Sequence, residues 1–294
     1  SRAISQYLSH GETHMTDNPL KRYSQRPGTY VALPSGGKYY TVPPKLTADG
    51  ELEVRPMTAS DEIKLKSPDG LMNSNSLYQV IEHVAPGITD GKTIPTPDLD
   101  IIVIAMRIAT YGKMMDVGAR CANCGHDEHY QIDLSRIIAS AKKIEAPDSV
   151  KVGDLTVNLR PHTSESNTLL STYQIEVGRA VRHFELASAT DKPEHSRNLH
   201  ETITRGSELL FDILTKTIVS VETPEDETIT DEKFIRDWLE DLASPDYQII
   251  RDAVNELSQE RVNRKMKFQC AKCEHHNEVE VSFDPANFFG SSSL

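Results

Sequence analysis

All four cysteines of the chain fall in two CxxC pairs, Cys121-Ala122-Asn123-Cys124 and Cys270-Ala271-Lys272-Cys273. Each pair is preceded by a short strand-like run, Met115-Asp116-Val117 in one case and Met266-Lys267-Phe268 in the other. Each is followed by a second run, Tyr130-Gln131-Ile132-Asp133-Leu134 and Val279-Glu280-Val281-Ser282-Phe283. The units also share the local pattern Cys-Ala-x-Cys-x-His. A tight turn carrying CxxC supplies two thiolates, and a structural zinc takes four ligands in a tetrahedron. The pairs therefore read as halves of one four-thiolate site, Cys121, Cys124, Cys270 and Cys273, split by the 145 residues from 125 to 269. Whatever lies between must leave that site and return to it.

This separation is far longer than the roughly 15–20 residues of a compact zinc ribbon. The competing reading is two unrelated pairs of buried or redox-active thiols, and the shared strand–knuckle–strand frames weigh against it. Four thiolates leave no open coordination position. The expected ion is thus a structural Zn2+ that contributes folding stability rather than chemistry. His126, His129, His275 and His276 lie near enough to replace a thiolate or to hydrogen-bond behind one. The plainer reading makes them exposed turn histidines.

Charge narrows the function. The chain has 32 basic and 44 acidic residues, a net charge of −12. Binding to phosphate depends on Lys and Arg releasing counterions, so a nucleic-acid role is disfavoured. The longest apolar stretch, Leu99 to Ala109, is interrupted by Asp100 and Arg107 and is too short to span a bilayer. No signal-peptide core opens the sequence, so the chain is expected to fold in a cytoplasm, where paired thiols stay reduced and bind metals. There is no Walker-type phosphate loop, no GxGxxG after a strand, no GxSxG elbow and no HExxH helix. His162, His183, His195 and His200 have no matching nucleophile, and no catalytic residue is assigned.

Along the chain, residues 1–45 read as an extended arm rich in Ser, Thr, Gly, Pro and Tyr. Within it Leu33 to Tyr40 reads as a turn followed by a strand. Glu51 to Pro56 alternates as a strand should. Thr58 and Asp61 form a capping box for a helix that ends at Ser67-Pro68-Asp69-Gly70. A second helix spans about Asn75 to Val84. The next has Thr96 as N-cap, Pro97 at the first helical position and Asp98 at the positive end of the dipole. Its body is apolar nearly all round, so it is expected to be buried, and Asp100 and Arg107 need partners. A short helix over 134–143 and a hairpin over 150–159, turning at Gly153-Asp154, follow. Helices are then expected from Ser164 to about Ser188, from Glu194 to Val221, around Phe234 to Leu242, and from Ser244 to about Leu257.

The expected fold is α+β: a small β-rich zinc-knuckle core with an N-terminal extended arm and a large all-helical insertion. The divisions are an arm over 1–45, a core over 46–163 plus 259–284, a helical lobe over 164–258, and a tail over 285–294. That tail either docks through Phe288-Phe289 or frays.

Ile94-Pro95-Thr96-Pro97-Asp98-Leu99-Asp100, the apolar helix with Arg107, Tyr111-Gly112, the first CxxC and Tyr130 to Leu134 together resemble the baseplate hub protein family of contractile-tailed, T-even-like bacteriophages. The resemblance is most specific over residues 33–135 and resumes at Cys270 to Phe289. This chain is an enlarged form, with its long helical segment and two knuckles. The resemblance implies a structural assembly part of the virion tail baseplate, made in the bacterial host cytoplasm and present in several copies per particle. Its implied partners are other tail and baseplate proteins, and no catalytic residues are implied. Three other classes compete: a cytoplasmic tail-assembly chaperone, a zinc-ribbon nucleic-acid binder resting on Arg120, Lys272 and the basic run Arg261 to Lys267, and a hydrolase. Stoichiometric presence in purified particles separates the first from a structural part, and a salt-dependent gel shift tests the second. The hydrolase reading has no motif behind it.

Overall fold

The computed structural model describes residues 27–66 and 75–281, together with Leu20, Phe288 and Phe289. The expected helix stop at Ser67 to Gly70, most of the first 26 residues, Ser282-Phe283 and the rest of the tail lie outside the described residues.

The first sheet pairs β1 (Thr29–Ala32) antiparallel with β2 (Glu51–Val54), with Val31 opposite Leu52. Alternation puts Val31, Leu52 and Val54 inward, and all three are buried. Part of the expected arm is therefore core. The strand also precedes the 34–37 turn rather than following it, because Val31 and Leu33 supply the alternating apolar pair.

Helix α1 (Ala59–Lys66) opens with the expected reciprocal cap. The Thr58 amide donates to Asp61 Oδ2 at 2.9 Å, and the Asp61 amide returns the bond to Thr58 Oγ1 at 3.3 Å. Helix α2 (Asn75–Val84) buries Tyr78, Val80, Ile81 and Val84.

Helix α3 (Thr96–Tyr111) is the centre of the larger core, with Ile101 to Met106 all buried. Thr96 is not its N-cap. Pro95 holds that position, and the Thr96 hydroxyl donates instead to the His162 carbonyl at 2.9 Å. Asp98 is fully buried, and its carboxylate accepts from the Ser35 amide (2.8 Å), the Ser35 hydroxyl (2.5 Å) and the Tyr40 hydroxyl (2.9 Å). Burial nevertheless pushes its pKa up to about 6, against the pull of those donors. Asp100 accepts from Arg264 Nη2 at 2.5 Å, which joins α3 to the approach of the second knuckle. Arg107, only 4 % exposed, lies over the rings of Tyr111 and Phe288, 5.0 and 5.7 Å from their centroids. Phe288 and Phe289 are fully buried against this cluster and meet edge to face.

The first knuckle lies between β3 (Met114–Arg120) and β4 (Asp127–Asp133), a seven-pair antiparallel ladder. Helix α4 (Leu134–Ala139) follows, capped by Asp133. A hairpin of β5 (Ser149–Val152) and β6 (Leu155–Leu159) then turns at Gly153, as its φ of +59° allows.

Helices α5 (Ser164–Leu186) and α6 (Lys192–Thr217) run as an antiparallel pair. Helix was expected to continue to Val221. It stops at Thr217, and the β-branched run Ile218-Val219 leads into strand β7 (Ile218–Glu222). Strand β7 pairs with β6 on one side and with β8 (Thr228–Ile229) on the other, completing the sheet order β5-β6-β7-β8. The expected all-helical stretch thus contributes two strands. Helices α7 (Glu232–Asp241) and α8 (Ser244–Leu257) cover this sheet. A second buried cluster forms there, from Val152, Val157 and Leu159 to Ile250, Val254 and Leu257.

The chain returns as β9 (Lys265–Gln269) and β10 (His276–Glu280), a second small hairpin bearing the second knuckle. The closing strand lies three residues earlier than expected. Helices and small antiparallel sheets together make an α+β fold.

Candidate metal centre

The two hairpins build the same turn twice. In the first, the Gly125 amide donates to the Cys121 carbonyl (2.9 Å) and the Cys121 amide to the His126 carbonyl (2.9 Å). In the second, the Glu274 amide donates to the Cys270 carbonyl (2.9 Å) and the Cys270 amide to the His275 carbonyl (3.0 Å). Both turns need a left-handed residue just after the second cysteine. Gly125 takes φ +68° freely, whereas Glu274 takes +54° at some cost.

The turns face each other. Cys121 Sγ lies 3.6 Å from Cys273 Sγ, and Cys124 Sγ lies 3.7 Å from Cys270 Sγ. All four sulfurs are within 4.8 Å of one another, and all four thiols are free. Cys121 and Cys270 are buried, with Cys124 and Cys273 more accessible. The structure therefore brings together the two pairs that 145 intervening residues separate, and the group can hold a metal ion. The four nearby histidines stand outside it. His126, His129, His275 and His276 are exposed, and His126 and His275 serve the turns through their carbonyls.

The donor set fits zinc. Sulfurs about 2.3 Å from a central ion form a tetrahedron with edges of about 3.8 Å, close to the spacings of 3.6 and 3.7 Å seen here. The thiols are also electrostatically divided. The Cys124 amide above all, helped by Asn277, holds Cys121 down at about 6. The His275 amide and the Asn123 side chain lower Cys273. The His126 amide favours the Cys124 thiolate, but burial and the three neighbouring thiols outweigh it and push that group up to about 12. Crowded sulfurs cannot all ionise against their mutual repulsion, and a divalent cation removes that obstacle.

Two residues that the sequence reading did not single out complete the centre. Asn277 is buried, accepts from the Ala122 amide (3.0 Å), and donates to Cys121 Sγ (3.5 Å) and the His275 carbonyl (3.0 Å). Glu128 accepts from the Ala271 amide (3.2 Å) and from the Tyr130 hydroxyl (2.6 Å). The Tyr130 ring in turn packs on Phe268, with centroids 4.2 Å apart. Their only sequence signal is a shared offset of seven residues from the first cysteine of each pair.

Hydrogen bonds, stacked rings and clustered thiols thus tie two distant hairpins of one α+β chain to each other. The family described as T4 bacteriophage base plate protein matches residues 29–290, and the chain belongs to it. The family places the chain in the phage virion, at the tail, among other tail proteins. No curated protein sequence and no solved structure matches the chain. Among the described residues, no helix is long and apolar enough to cross a membrane.

Proposed function

We propose that this chain is a hub or hub-adjacent subunit of the tail baseplate, without catalytic activity, stapled by one structural Zn2+. Cys121, Cys124, Cys270 and Cys273 would hold the ion. When bound, it supplies charge neutralisation and a cross-link between the two hairpins. The observation that carries this reading is the approach of four sulfurs from chain positions some 150 residues apart. Around the ion, Asn277 and Glu128 each fix the other hairpin's knuckle, and Arg264 ties the second hairpin to α3 through Asp100.

The same reading divides the chain into two working lobes. One is the larger core around α3 with the staple, and the other is the sheet β5–β8 with its helices. The ends of the chain would reach other tail and baseplate proteins. Elemental analysis of the purified chain tests the staple: one zinc per monomer is expected, and a metal-free folded monomer rejects it. Mass spectrometry of purified particles tests the location: stoichiometric presence is expected, and absence favours a chaperone that leaves before completion.

A further inference from the structure

A cleft of about 340 Å³ opens where the two parts of the chain meet. Lys92 and Thr93, from the Gly91–Thr93 turn ahead of α3, line one side, and the start of α5 and the end of α6 line the other. Ligand pockets gather at such seams. Part of the lining is apolar, from Pro161, Leu169, Leu209 and Ile213. The charged part is unusual for so acidic a chain. Lys92 pairs with Glu165 at 3.6 Å, and Asp212 is taken by Arg236 of α7. Arg160 and Lys216, which also line the cleft, meet no carboxylate among the described residues.

Arg160 is held in place for an anion. Its amide donates to the Thr217 carbonyl at 2.8 Å and its Nε to the Lys216 carbonyl at 2.7 Å. The free Nη1 and Nη2 form the fork that matches a planar oxyanion with two parallel bonds, and Lys216 adds a point charge beside it. Charge selects the kind of anion. Arg236 is shared between Asp212 and Glu240, so four cations here face three carboxylates. An excess of one positive charge suits one carboxylate. A nucleic-acid backbone would bring many phosphates against Glu165, Asp212 and a chain of −12. A free inorganic ion would leave the apolar lining bare. We infer that the cleft binds a carboxylate carried on an aliphatic-sided peptide, an acidic residue between apolar ones on a neighbouring tail protein. The cleft lies apart from both knuckle hairpins, so this site stands or falls independently of the metal.

The test is calorimetric titration of the full chain with acetyl-Leu-Glu-Leu-amide, with acetyl-Leu-Gln-Leu-amide and inorganic phosphate in parallel. The glutamate peptide is expected to bind at millimolar concentration. Its dissociation constant should rise roughly tenfold or more in Arg160→Met, as loss of a charged hydrogen bond implies, and the glutamine peptide should bind as weakly to the wild type. Arg160→Lys keeps the charge but loses the fork and should fall between. Lys216 is exposed, so Lys216→Met reads the site even where Arg160→Met disturbs the link between β6 and α5. Lys233→Met, on α7, should change nothing. Absence of binding at millimolar peptide overturns the proposal, as does binding indifferent to Arg160 and Lys216. Phosphate that binds as tightly as the glutamate peptide and displaces it also overturns it, in favour of a free anion.

Discussion

Glu128 and Asn277 hold equivalent places in the two knuckles, and each grips the knuckle of the other. Glu128 receives the Ala271 amide and Asn277 receives the Ala122 amide. The exchange is nearly symmetric but not equal, because Asn277 is buried and also reaches Cys121 Sγ. Asn277→Ala removes a buried side chain together with its hydrogen bonds to the Ala122 amide and the His275 carbonyl, which costs about 1–3 kcal/mol. It should also weaken metal binding by roughly 10–100-fold, as removal of a residue supporting a ligand does. Chelator competition reads the second effect and urea unfolding the first.

Removing one sulfur should do more. Cys121→Ser or Cys273→Ser is expected to abolish stoichiometric zinc and lower the melting temperature, and a strong chelator should lower the wild type to the same level. Variants that melt like the wild type and assemble into particles would reject the staple.

A methyl group on Gly206 fits only if the Tyr173 ring moves aside. A Cβ there would sit 1.8 Å from Tyr173 Cζ. Gly206→Ala should destabilise by about 1–3 kcal/mol despite alanine's better helix propensity, because overpacking outweighs the backbone gain. Tyr173→Leu in the same chain should recover part of the loss, and denaturant midpoints for the single and double variants measure it.

Asp98 gives the stability a pH slope. Its native pKa of about 6 lies above the usual carboxylate value of 3.8, so between those values the folded state holds more protons than the unfolded one. The contribution is therefore full below about pH 4 and is lost as pH rises through 6, on the order of 3 kcal/mol in all. Asp98→Asn should flatten that part of the curve. The difference between wild-type and variant unfolding free energies at pH 4 and pH 7 isolates it from groups such as Asp61, whose lowered pKa acts in the opposite direction.

Phe288 is fully buried and lies over the Arg107 guanidinium. Phe288→Ala should cost about 3–5 kcal/mol, the range for a buried aromatic. A loss below 1 kcal/mol by calorimetry would show that the tail is not part of the core.

The legible parts of this fold were those written in local chemistry. The Thr58–Asp61 cap, the helix over Asn75 to Val84 and the hairpin turn at Gly153 follow from caps, periodicity and turn residues within a few positions. The convergence of the four cysteines was legible because paired spacing is rare and specific. The misread places depend on distant residues. Thr96 looks like a cap, but the His162 carbonyl takes its hydroxyl. Ile218 to Val221 continue a helical period, but β6 offers them a ladder. Asn277 and Glu128 are ordinary polar residues until two hairpins some 150 residues apart in the chain meet.

That meeting imposes an order in time. Cys121 and Cys124 leave the ribosome some 150 residues before Cys273, a wait of roughly 8–30 s at common rates of synthesis. A chain broken anywhere between them carries only half of the cluster. The four sulfurs therefore come together only after translation has passed Cys273.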